Sequence, residues 1–162
     1  MDDSIQDILQ DRNIFHYKKY WLNAVAGSLE EEILAIFSFG TMQDAISYQL
    51  DLTPLMIEKL RKLTIISLAM EHRKIGYSLL LSKCQINDTP TLEEYLIALQ
   101  PIIKCRLDQV GQSVAVVNCF DGRDVYCHEK PLPNLVQPPM TKDNIFEGLQ
   151  QWKLKLQKQI LE

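Results

Sequence analysis

The densest group of reactive side chains lies in CFDGRDVYCHE, residues 119–129, which holds Cys119, Cys127 and His128 beside Asp121, Arg123 and Asp124. Two chemistries use such residues. A cysteine nucleophile needs a base within hydrogen-bond reach and a third group to orient that base. Cys127 and His128 are sequence neighbours, and neighbours in an extended chain point to opposite sides. A metal site would need a fourth ligand and a ligand spacing that are absent here. The segment therefore reads as a loop with an Asp121–Gly122 turn, an ordinary buried thiol, and an Arg123–Asp124 ion pair that fixes the loop. The remaining histidines, His16 and His72, stand alone, and no H-x-H, H-E-x-x-H, G-x-S-x-G or Walker-type glycine loop occurs. The expectation is a chain with no catalytic, cofactor-binding or metal residues, and so not an enzyme.

The bulk properties suit a protein that works by packing. A chain of 162 residues fits one domain with an appended element. It can bury roughly two thirds of its unfolded surface without staples. Net charge is −4, which argues against phosphate backbones and anionic membranes as main partners. The four cysteines form no C-x-x-C pair, so reduced thiols inside the cell are expected. The acidic start MDDSIQDILQ lacks the basic region of a signal peptide. No apolar run reaches the roughly twenty residues of a membrane span.

The elements follow from caps and periodicity. Residues 1–53 form an N-terminal helical segment of short helices. Within it FHYKKYWLNAVAG carries an aromatic-rich face of Phe15, Trp21, Leu22 and Val25. Ser28 and Glu31 have capping-box spacing, Gly40 is a stop, and Thr41 opens the next helix. Thr53–Pro54 starts a long helix whose stripe is Met56, Leu60, Leu63, Ser67 and Met70. Gly76 interrupts, YSLLLSKC is a short helix, QINDTPT is a loop, and Thr91 with Glu94 caps a helix over TLEEYLIALQ.

Residues 102–119, IIKCRLDQVGQSVAVVNC, break the helical pattern. Ile103, Cys105 and Leu107 alternate with Lys104, Arg106 and Asp108, the period of a half-buried strand. Val114 and Val116 alternate with Ala115 and Val117, which predicts a second strand covered on both faces. The two strands meet in a turn at Gly111, making a β-hairpin. After a proline-rich linker, 131–140, comes a helix over 141–162 with Thr141 as its cap. Its stripe is Ile145, Leu149, Trp152, Leu156 and Ile160.

The fold class expected is mainly α: the N-terminal helical segment (1–53), a winged-helix module with one β-hairpin wing (54–130), the linker (131–140) and a tethered C-terminal helix (141–162). Winged helices often bind DNA. The helix before this wing carries Glu93 and Glu94 and no Lys or Arg, which opposes entry into a groove lined by phosphates. An interaction module fits better. A wing leaves one strand edge open to another chain, and the terminal stripe must either fold back or enter a bundle.

The series KLRKLTIISLA, TLEEYLIALQ, IIKCRLDQVGQSVAVVN and GRDVYCHEK, with FHYKKYWLN before it and QQWKLKLQKQI after it, resembles the PCI domain. Within that family it is most similar to the subunit 7-like branch of the COP9 signalosome, including its short budding-yeast form. The likeness covers roughly residues 13–160, and GRDVYCHEK is its most specific piece. The resemblance implies a non-catalytic scaffold without cofactors. Its partners would be other PCI-domain subunits, with no direct nucleic acid, membrane or small molecule, in the cytoplasm and nucleus. The complex so implied removes Nedd8 from the cullins of SCF-type ubiquitin ligases, using zinc in a separate subunit, and in yeasts bears on the mating-pheromone response. It further implies wing contacts through Ile103, Cys105, Leu107, Val114 and Val116, and bundle contacts through Leu149, Trp152, Leu156 and Ile160. One departure is that only about fifty residues precede the winged helix, where PCI proteins usually carry a long helical arm. The proteasome lid and translation initiation factor 3 use the same modules, and only the family likeness separates them from the signalosome.

Overall fold

A computed structural model describes residues 2–133 and 142–161. Most of the proline-rich linker and the expected cap Thr141 lie outside the described residues. The protein is mainly helical with a small three-stranded antiparallel sheet.

The N-terminal segment holds four short helices: α1 (Asp3–Gln10), α2 (Lys18–Asn23), α3 (Leu29–Phe39) and α4 (Met42–Ser47). Ser28 caps α3, its side chain accepting from the Glu31 N–H at 3.1 Å. Glu31 closes the box one residue further back, accepting from the Gly27 N–H at 2.7 Å. α3 is apolar nearly all round, and Ile33 to Phe39 are buried without interruption, as befits a helix inside the core. The aromatic-rich face expected before it is only half realised. Trp21 is fully buried, whereas Leu22 and Val25 point to solvent.

Gly40 ends α3 at a point of close approach. A Cβ there would sit 3.0 Å from the Ile36 Cα and carbonyl and from Asp44 Oδ2. Gly40→Ala should therefore cost about 1–3 kcal/mol, read as a lowered urea midpoint with an unchanged slope.

α5 (Pro54–Glu71) starts at the expected cap, with Thr53 accepting from the Met56 N–H and Pro54 in the first turn. Met56, Leu60 and Leu63 are fully buried. The stripe then drifts: Ser67 is half-buried and Met70 exposed. Lys59 is buried in its place. Its amine donates to the Ile14 carbonyl at 2.9 Å and lies 4.0 Å over the Phe15 ring, and burial pushes its pKa down to about 8. It pins the connection between α1 and α2 to α5.

A strand not foreseen in the sequence follows, β1 (Lys74–Gly76). Then come α6 (Tyr77–Cys84), α7 (Thr89–Ala98), β2 (Ile103–Asp108) and β3 (Ser113–Cys119). α7 begins two residues before the Thr91 cap suggested by sequence. Asp88 is the cap, accepting from the Thr91 N–H at 2.8 Å, with Pro90 in the first turn. The sheet order is β1-β3-β2. β2 keeps the expected alternation, with Ile103, Cys105 and Leu107 inward and Lys104, Arg106 and Asp108 outward. β3 is covered on one face only, because Ala115 and Val117 are exposed. It is nevertheless the central strand, pairing Val114 with Ile75 on one side and Leu107 on the other. The last described element is α8 (Lys142–Leu161). Among the described residues no helix is long and apolar enough to cross a membrane.

Candidate functional site

The residues singled out for chemistry form a strap, 120–130, laid over the N-terminal helices. Its charged side chains serve helix ends. The last carbonyls of a helix lack partners within it and carry partial negative charge, and the first N–H groups carry the reverse. Arg123 is buried, and its guanidinium donates to the carbonyls of Phe37 (2.7 Å), Ile36 (3.2 Å) and Gly40 at the C-terminus of α3, and to Ser67 Oγ (3.0 Å) on α5. Burial lowers its pKa to about 10, so it remains a cation at neutral pH. Asp124 takes the opposite end of α2. Its Oδ2 accepts from the backbone N–H groups of Tyr17 (2.7 Å) and Lys18 (3.0 Å).

Lys130 closes the other end of α2. Its amine donates to the Trp21 carbonyl at 2.6 Å, lies 4.8 Å over the Trp21 ring, and pairs with the buried Glu31 at 3.0 Å. Burial alone would raise the Glu31 pKa. The Gly27 N–H and Lys130 outweigh it and hold the carboxyl below its usual range. Between these anchors Tyr126 inserts edge-on against Trp21 and Phe39, with ring centroids at 6.1 and 5.7 Å, and its hydroxyl donates to the Lys130 carbonyl. Lys18 pairs with Glu129. The expected Arg123–Asp124 ion pair is thus replaced: each residue caps a different helix.

Cys127 and His128 do not meet as nucleophile and base. The thiol expected to be buried here is not: Cys127 is exposed and Cys119 half-buried. The Cys127 thiol faces the Val125 carbonyl at 3.7 Å, while His128 pairs with Glu147 of α8 and packs on Tyr126, ring centroids 4.7 Å apart. The buried thiol of Cys84 is pushed up to about 12 by burial, and that of Cys119 is also raised by burial, so neither is an activated nucleophile. Among the described residues no cluster of three or more His, Cys, Asp and Glu side chains is placed to hold a metal ion. A cleft of about 610 Å³ between the α1–α2 connection, α5 and α7 is lined by charges of both signs: Arg12 and Lys62 against Glu58, Glu94 and Asp121.

His16 is the titratable link of the strap. Its Nδ1 bonds Asp124 and its Nε2 bonds Asp121, both at 2.9 Å, so both ring nitrogens face carboxylates. Desolvation lowers its pKa, but the bonds from Asp121 and Asp124 outweigh it and the net shift is upward from 6.5. The folded state therefore binds the proton more tightly than the unfolded state. The stability this supplies is complete below about pH 6.5 and drains away as pH rises through the higher folded value. The gap in urea midpoint between wild type and His16→Gln should be widest near pH 6 and should narrow towards pH 8. A gap that widened with pH would contradict the assignment.

The residues expected at interfaces divide into two sets. Ile103 and Val114 are buried in the core, and Cys105, Leu107 and Val116 pack partly against it. The open edge of the wing is β2, whose outward side chains are Lys104, Arg106 and Asp108. A register shift between Lys104 and Cys105 bends that edge. On α8, Leu149, Trp152 and Leu156 are exposed, and the side chain of Ile160 lies outside those described. α8 meets the strap through Glu147, half a turn away from this stripe.

No family model matches the chain. Over 154 residues it is 40% identical to COP9 signalosome complex subunit 9 of Saccharomyces cerevisiae, covering 95% of this chain and 94% of that protein. The chain belongs to the COP9 signalosome subunit 9 family. The signalosome subunit 9 of Eremothecium gossypii is 33% identical over 93% of each chain. Subunit 7 of Drosophila melanogaster is 30% identical over 93% of this chain but only 54% of its own length. The resemblance to subunit 7-like signalosome proteins is thereby borne out, and the chain spans about half of that longer relative.

Proposed function

We propose that the chain is a non-catalytic scaffold subunit of the COP9 signalosome, the complex that deneddylates cullins of SCF-type ubiquitin ligases and in yeasts bears on the mating-pheromone response. It works in cytoplasm and nucleus through other PCI-domain subunits. The observation that carries this reading is α8. A helix of 20 residues leaves Leu149, Trp152 and Leu156 exposed, and a contiguous exposed apolar stripe marks a site of contact with another protein. The element order α5, β1, α6, α7, β2, β3 supports reading 54–130 as a winged-helix PCI module, preceded by the helical segment 1–53 and followed by the linker 131–140 and the docking helix 141–162. The names of the relatives support the choice of assembly. In this reading the clamped strap is a structural part and α8 is the working surface.

The test is affinity purification of the tagged full chain with mass identification of its partners, beside a chain lacking residues 142–162. Signalosome subunits should accompany the full chain and be lost with α8. Recovery of proteasome-lid or initiation-factor subunits in their place would move the chain to another assembly.

A further inference from the structure

The flanks of the α8 stripe carry one sign of charge. On a heptad frame that puts Ile145 at d, Leu149 and Leu156 fall at a and Trp152 at d. The seam is bordered by positions e and g. In the central heptad these are Lys153 and Lys155, both exposed. In the preceding turn they are Phe146 and Gly148. The acidic residues of α8, Asp143 and Glu147, fall at b and f, away from the seam, and Glu147 is engaged by His128. Among the described residues no carboxylate pairs with Lys153 or Lys155.

We propose that α8 selects its partner by charge: its seam takes an amphipathic helix of another subunit whose flanking positions carry Glu or Asp, and it rejects a second copy of this chain. This rests on the docking reading above. Flanking e and g charges set the partner and orientation of packed helices. In an antiparallel pair of α8 copies, where e faces e′ and g faces g′, Lys153 and Lys155 meet their own counterparts, and a parallel pair sets them opposite positions 160 and 148, where no carboxylate stands. The unpaired cations are then a device of selection, since like charges across a seam act against the wrong partner as much as opposite charges favour the right one.

The full-length chain is titrated with three labelled helical peptides that share a leucine seam and are flanked by Glu, by Gln or by Lys. Fluorescence anisotropy should show the Glu-flanked peptide binding roughly tenfold tighter than the Lys-flanked one, with the Gln-flanked peptide between them. The spread should collapse near roughly 1 M salt, and the order should reverse for the Lys153→Glu/Lys155→Glu chain. Equal affinity for all three overturns charge selection while leaving α8 as a docking helix. Binding to none of them removes the docking reading and this one together. Self-association of the wild-type chain that Trp152→Ala abolishes would make a second copy the occupant and overturn the proposal.

Discussion

Arg123→Ala will lose on the order of 4 kcal/mol of stability, a large share of the roughly 5–15 kcal/mol that holds a domain of this size together. The guanidinium sits among the carbonyls of Ile36, Phe37 and Gly40 and the Ser67 hydroxyl. Among the described residues it has no carboxylate partner within 4 Å, and its compensation is the negative end of α3. Truncation strips the Phe37 and Gly40 carbonyls of the donor that Arg123 supplies, leaves Ile36 only the Gly40 N–H, and opens a cavity between α3 and α5. Arg123→Lys should recover less than half of the loss, because one amine cannot spread over a full turn of carbonyls as the planar fork does. Arg123→Met separates the two terms: it refills the space and still removes the donor to the Phe37 and Gly40 carbonyls. Urea denaturation of the three variants checks this. A loss under about 1 kcal/mol for the alanine variant, the size of a surface ion pair, would show that water replaces the guanidinium.

Trp152→Ala should do the opposite: little to the fold, much to assembly. The ring is 62% exposed, so truncation should move stability by less than about 0.5 kcal/mol. A tryptophan central to a docking stripe is the kind of residue that dominates an interface, and its loss should weaken partner binding by about 2 kcal/mol, near thirtyfold. Thermal melts and quantitative recovery of sister subunits give the two readings separately. A variant that melts early and still assembles would place the ring in the core.

Much of the fold was legible because it is written locally. Ser28 with Glu31, Thr41, and Thr53–Pro54 each signal a helix start within four residues, and all three open helices where expected. The alternation of Ile103, Cys105 and Leu107 with charged residues likewise sufficed for β2. The misreadings have physical causes. β1 is three residues long, too short for a period of two to show. Asp88 and Thr91 are both competent caps, and Pro90 in the first turn favours the earlier start. Ala115 and Val117 looked like covered residues because apolar identity does not reveal whether a neighbour exists.

The strap escaped sequence reasoning for a deeper reason. Arg123 reaches α3 and Asp124 reaches α2 across about a hundred residues of chain. Long-range capping leaves no periodicity and no motif of adjacent partners. The nearest signal was chemical: a cation, an anion and a second cation, spaced along one segment that lacks any catalytic geometry. Next to each other in sequence, Arg123 and Asp124 invite pairing, and only the positions of the helix ends reveal that each is committed elsewhere.

The strap also sets a timetable for biosynthesis. α2 and α3 emerge from the ribosome early, yet the groups that finish their ends, Asp124, Arg123 and Lys130, are translated about a hundred residues later. At roughly 5–20 residues per second the amino-terminal helices wait several seconds in an incomplete state, with their apolar faces open to chaperones. A message truncated before codon 123 would yield a product that never locks.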